Sequence, residues 1–151
     1  MTRREDDIWI LIADATRARI LRGIARAGEA PLPELVLRTE AHKLRDIMAD
    51  KPGRTSVGPG RRAALDYGTD PLKEDERQFL REVAALLDSH RRAGEFRRLA
   101  IFAEPRTLGL LRTILPAALR RLVCRETAAN LLKVPPQELP PLLLRHLDPL
   151  A

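Results

Sequence analysis

A chain of 151 residues, 44% hydrophobic and 32% charged, has the size and composition of one globular domain with a real core, and it does not read as a disordered segment. Its net charge of +6 rests on arginine far more than on lysine, which occurs only at Lys43, Lys51, Lys73 and Lys133; this suits anionic partners, nucleic acid first, against the alternative that a GC-rich coding sequence favours Arg, Ala, Pro and Leu whatever the function. The aromatic residues are only Trp9, Tyr67, Phe79, Phe96 and Phe102, which argues against a base-stacking surface, and the lone Cys124 excludes an intrachain disulfide.

The charged start, Met1-Thr-Arg-Arg-Glu-Asp-Asp7, leads into only a short apolar run, so neither a signal peptide nor a membrane span is expected and the cytoplasm is the expected location. Ile8-Trp-Ile-Leu-Ile-Ala13 is a continuous apolar run and reads as a buried central strand. Asp14-Ala-Thr16 offers a turn, and residues 17–25 alternate imperfectly, as a half-exposed hairpin partner would. Gly28 and Pro31 punctuate the next turn, and residues 34–39 read as a third strand nearer an edge.

Residues 42–49 suggest a short helix with Leu44, Ile47 and Met48 on one face, stopped by Pro52 and Gly53. Residues 50–68 are rich in Gly, Pro, Ser and Arg without apolar periodicity, which predicts a long flexible loop. The next helix has Asp70 to cap it, Pro71 at its first position and Glu74, Asp75 and Glu76 at the positive end of its dipole. Leu72, Phe79, Leu80, Val83 and Leu87 form its apolar stripe, and Gly94 follows Arg91 and Arg92 as a stop.

Residues 98–103 then predict a strand, residues 107–115 a helix interrupted by Pro116, residues 119–126 a strand and residues 138–147 a closing helix. The order βββααβαβα predicts one α/β domain over residues 1–151, with a mixed sheet of about five strands and helices packed on it.

The segment Leu99–Arg112 carries the clearest site signal. A strand runs into a polar turn holding Glu104 and Arg106 and straight on into a helix, and ligands of open α/β sheets gather at that end of the strands. Free N–H groups at the helix start, with an arginine, suit an anion. Asp14 and Arg17 flank the first turn in the same way. If the first and fourth strands are adjacent and parallel, Asp14, Arg17, Glu104 and Arg106 meet at one edge; otherwise Asp14 simply caps its turn and pairs with Arg17. A second candidate is the Gly/Pro-rich loop, where Lys51, Arg54, Arg61 and Arg62 suit a phosphate backbone, against the alternative of a solvated loop.

Other chemistry lacks its residues. His42, His90 and His146 have no ligand-like spacing, so no metal is expected. Val57-Gly-Pro-Gly-Arg-Arg62 matches neither nucleotide fingerprint, so no cofactor is expected, and Ser56 lies in no Gly-x-Ser-x-Gly elbow. Cys124 reads as a small buried hydrophobe rather than a nucleophile.

Ile12-Ala-Asp-Ala-Thr-Arg-Ala-Arg-Ile20, Asp50-Lys-Pro-Gly-Arg54, Phe102-Ala-Glu-Pro-Arg-Thr-Leu-Gly-Leu-Leu-Arg112 and the closing Leu143–Leu147 together resemble the bacterial host attachment protein family over nearly the whole chain. That family in turn is similar to the central domain of archaeal and eukaryotic peptide-chain release factors. The resemblance implies an RNase H-like mixed sheet and contact with tRNA or the ribosome. Release factors act through a Gly-Gly-Gln loop. Here the comparable loop reads Gly58-Pro-Gly-Arg-Arg62, while Gln78 and Gln137 lie in helical patterns, so that hydrolysis is not expected. Asn130-Leu131 stands where the family tends to carry Asp-Leu, which removes any role for an acid there.

Three functional readings follow. The first is a non-enzymatic RNA- or ribosome-associated domain with an indirect role in attachment and no membrane partner. The second is a hydrolase acting on an RNA-linked or phosphorylated substrate at the Asp14/Arg17/Glu104/Arg106 edge. The third, direct adhesion, lacks an export signal or disulfide to support it.

Overall fold

The computed structural model describes residues 7–26, 28–30, 32–39 and 71–147. Five strands, β1 (Ile8–Ala13), β2 (Arg17–Leu21), β3 (Leu35–Arg38), β4 (Arg98–Ala103) and β5 (Val123–Ala128), form one sheet in the order β3-β2-β1-β4-β5. Hairpin pairing makes β1–β2 and β2–β3 antiparallel, whereas β1–β4 and β4–β5 are parallel. The continuous apolar run of β1 matches its place at the centre, where every residue is buried.

Strand alternation divides the core. Trp9, Leu11 and Ala13 of β1, with Leu99, Ile101 and Ala103 of β4, face the layer built by α1 (Pro71–Arg92), α2 (Pro105–Ile114) and α3 (Ala117–Arg120). From that layer Phe79, Leu80, Val83, Leu87, Leu108, Leu111 and Leu119 meet them. Ile8, Ile10, Ile12, Ala100 and Phe102 face the other way, against Leu131, Leu132 and the buried stripe Leu139, Leu143 and Leu147 of α4 (Leu139–Leu147). The result is a single α/β domain: a five-stranded mixed sheet with four helices packed on it.

Local chemistry sets the helix ends. Helix α1 begins at Pro71 and carries His90, Arg91 and Arg92 in its last turn, where cations complement the dipole. It stops at Gly94, whose N–H donates to the Arg91 carbonyl at 2.9 Å and whose φ of 74° turns the following Glu95 N–H back to the His90 carbonyl at 3.1 Å. Helix α2 starts at Pro105 rather than Thr107, because proline fits the first helical position without losing a bond. The expected strand over residues 119–126 is shifted. Pro116 instead starts the single turn α3, its carbonyl accepting from the Leu119 and Arg120 N–H groups, and β5 begins only at Val123. The expected helix at 42–49, the loop at 50–68 and the Asp70 cap lie outside the described residues.

Two expected strands are also shorter than their sequence patterns: β2 stops at Leu21, shortly before Gly23 with its φ of 126°, and β3 begins only at Leu35, where one residue sets the start. Arg19, central in β2, is only 9% exposed although it carries a full charge. Its Nε donates to Glu34 Oε2 at 2.8 Å, and its Nη2 donates to Glu34 Oε1. Its Nη1 donates to the carbonyls of Leu131, Leu132 and Val134 at 3.2, 3.0 and 2.7 Å. Glu34 therefore turns to the arginine just before β3, and the connection from β5 to α4 is stitched over the sheet.

Arg19→Met removes one partner of a buried pair and strands three carbonyls, so it should lower the unfolding free energy by about 3–5 kcal/mol in urea titrations. Adding Glu34→Leu should recover part of that loss, because the uncompensated carboxylate goes too; a double variant as unstable as the sum of its singles would refute the coupling. Elsewhere, the hydrogen bond from Arg91 Nε at 2.7 Å holds the Asp88 carboxyl below the usual aspartate range, aided by the charges of Arg91 and Arg92 and opposed by burial. A lowered folded-state value contributes stability above the ordinary aspartate range and loses it as pH falls through the lowered value. Arg91→Ala should raise the Asp88 pKa in an NMR titration.

Candidate functional site

The register brings the sheet-edge residues together. Ala13 pairs with Ala103 in the parallel β1–β4 ladder, so Asp14 and Glu104 are the next residues out, about one strand spacing of ~4.8 Å apart along the edge. Because β2 runs back along β1, Arg17 begins β2 at this same edge, and because β3 reverses again, Arg38 ends β3 beside it; Arg17 and Arg38 are direct cross-strand partners. Helix α2 starts immediately after Glu104. Thr39 Oγ1 donates to Asp75 Oδ2 at 3.1 Å, which ties the end of β3 to the start of α1. The chain between Thr39 and Pro71 therefore leaves and re-enters at this edge. Its Lys51, Arg54, Arg61 and Arg62 lie outside the described residues.

Within the edge, the Asp14 and Arg106 side chains have partners of their own among the described residues. Asp14 Oδ1 accepts from the Thr16 N–H at 2.7 Å, the Thr16 hydroxyl at 3.0 Å and the Arg17 N–H at 2.8 Å, closing the β1–β2 turn. The Arg17 guanidinium does not pair with it. Arg106 is turned toward α1, where Nη1 and Nη2 reach Glu76 Oε1 and Oε2 at 3.3 and 2.5 Å. Glu104 occupies the N-cap position of α2, yet its side chain makes no capping hydrogen bond. The four expected site residues are thus neighbours, but among the described residues no bond joins the side chain of one to the side chain of another.

Three features were not singled out from the sequence. The first is the Arg17–Arg38 pair. Like charges directly opposite on neighbouring strands repel, and neither guanidinium has a carboxylate partner among the described residues. The second is the buried Arg19, which resembled an exposed strand residue because alternation alone does not mark it as inward. The third is an open cleft of ≈ 270 Å³ between α1 and α2, lined by Lys73, Glu76, Arg77, Arg106, Gly109 and Leu110. A sequence signal for it was a lysine in the first turn of an otherwise acidic helix start, where the dipole disfavours a cation.

Among the described residues no group of three or more His, Cys, Asp or Glu side chains could hold a metal ion, and no helix is long and apolar enough to cross a membrane. Cys124 is half-buried and packs against the α4-side core.

A family model described as a protein required for attachment to host cells matches residues 9–143, which takes in the sheet, α1, α2 and the edge just described. No curated protein matches the chain.

If Asp14 serves the turn, Asp14→Ala should lower the unfolding free energy by about 1–2 kcal/mol by stranding the Thr16 and Arg17 N–H groups. Asp14→Asn keeps an accepting oxygen and should lose less than half as much in the same urea titration. Equal losses would mean that the carboxylate charge, not the turn bonds, is what the edge needs.

Proposed function

We propose that this chain, which belongs to the family of proteins required for attachment to host cells, is a non-enzymatic domain that binds the phosphate backbone of RNA on tRNA or the ribosome. Its part in attachment would then be indirect. The observation that carries this reading is the pairing of Arg17 with Arg38 at the sheet edge. Two guanidiniums held in register without a carboxylate between them are disfavoured in isolation and favoured once an anion bridges them. Arginine, with its planar fork, suits phosphate oxygens better than lysine does. Lys51, Arg54, Arg61 and Arg62, which lie outside the described residues, are the further cations that the sequence offers to a phosphate backbone.

Hydrolysis at this edge has less support. Asp14 is committed to its turn and Arg106 to Glu76, and among the described residues no side chain is bonded to Glu104. Binding of positively charged side chains to phosphates releases counterions, so affinity should fall steeply with salt.

The test is binding of the purified chain to tRNA and to ribosomes at low and moderate salt. Arg17→Ala and Arg38→Ala should each weaken binding several-fold and make the log-affinity against log-salt slope shallower by about 0.7–0.9 per lost contact. Arg54→Ala and Arg61→Ala should do likewise, whereas Glu104→Gln should not weaken it. No affinity for either partner at low salt would overturn the reading.

A further inference from the structure

The α1–α2 cleft lies on the face of the sheet opposite to the arginine pair. In β2, Ala18 and Ile20 point into the core beneath α1 and α2, so Arg17 points by alternation to the α4 side, and its cross-strand partner Arg38 follows it. Whatever binds in the cleft therefore does so independently of the Arg17–Arg38 pair.

Three cationic side chains, Lys73, Arg77 and Arg106, line the cleft, against the single carboxylate of Glu76. Glu76 is only 18% exposed and grips Arg106 through both of its terminal nitrogens, which fixes the guanidinium at the cleft wall. Arg77 reaches Glu74 at 3.4 Å, but both side chains are widely exposed, and such a pair yields readily to a better anion. Lys73 stands exposed at the cleft with no carboxylate partner among the described residues. Both Lys73 and Arg106 occupy the opening turn of a helix, where the positive dipole end opposes a cation, and the two helices start at the same edge. The positive potential in this cleft is thus built against local helix preference.

Gly109 is the second departure. It lies inside α2, where glycine is a poor helix former, and nothing requires it there: its φ is not left-handed, and a Cβ placed on it would meet no atom within 4 Å. The missing side chain leaves open space at the cleft wall between the three cations. Two breaches of local preference that converge on one place mark a site rather than a scaffold.

We infer that the α1–α2 cleft is a phosphate-binding subsite, with Lys73, Arg77 and Arg106 as its donors and Gly109 leaving the room. Its ≈ 270 Å³ has room for a phosphate group among the three cations.

The test is titration of the ¹⁵N-labelled chain with inorganic phosphate, read from amide shifts. Saturable shifts should centre on Lys73, Arg77, Arg106 and Gly109. Gly109→Glu, which puts a carboxylate into open space without a steric clash, should weaken that binding at least tenfold with an unchanged far-ultraviolet spectrum. Gly109→Ala, a better helix former, should keep the binding and melt no lower than the parent. The inference falls if phosphate gives no saturable shift at tens of millimolar, or if its shifts centre on Arg17 and Arg38, or if Gly109→Glu binds as the parent does. An oligoribonucleotide with and without a 5′-phosphate then identifies the carrier: sensitivity to Gly109→Glu only with the phosphate assigns a chain end, sensitivity with both assigns an internal diester, and sensitivity with neither assigns a small phosphorylated molecule. The phosphate titration does not involve RNA, so the RNA reading and the cleft can fail separately.

Discussion

The buried guanidinium of Arg19 is the interaction on which the two sides of this molecule depend. A charge in the middle of a strand is tolerable only if every donor is satisfied, and here the partners come from two separated parts of the chain. Glu34 supplies a two-point contact from the connection before β3, and the carbonyls of Leu131, Leu132 and Val134 supply the rest from the path between β5 and α4. The apolar contacts of α4 would hold it against β1 and β4 in many slightly different positions. The directional bonds to Arg19 select one, because the carbonyls must arrive where the donors point. The same bonds keep Glu34 out of β3 and hold that edge strand to four residues.

This arrangement frees the opposite end of the hairpin for something else. Asp14 closes the β1–β2 turn through backbone bonds, which fixes where Arg17 begins β2 and therefore that Arg38 stands across from it. The parallel β1–β4 pairing sets the start of α2 beside that turn, and the Thr39–Asp75 bond brings the start of α1 to the same edge. One edge of the sheet thus collects two helix starts, an arginine pair on one face and a cationic cleft on the other. Arg106 joins α2 to α1 through Glu76, whereas Arg17 and Arg38 have no carboxylate partner among the described residues. They lie at the end where open α/β sheets commonly bind ligands.

Acidic residues temper the edge rather than neutralise it. Glu76 orients Arg106, Asp75 accepts from Thr39, and Glu104 faces solvent at the start of α2. Each has a structural or positional account.

The sequence by itself determined the layers. Six consecutive apolar residues in β1, the Phe79-Leu80-Val83-Leu87 stripe, the Pro71 and Gly94 ends of α1 and the strand-turn-helix of residues 98–114 are local patterns, and local patterns follow from periodicity and backbone preference. It also placed Asp14, Arg17 and Glu104 at strand ends, where the structure has them, while Arg106, expected in the turn after β4, lies in the first turn of α2. Only the tertiary structure decided the strand order, and with it which of those ends became neighbours. It turned Arg19 inward, moved the start of β5 past the single turn at Pro116, set Arg38 against Arg17 and opened the cleft beside Gly109. The physical reason is common to all of these: each depends on a partner distant in the chain, and periodicity reports which way a residue faces in its own element but not what it will find there.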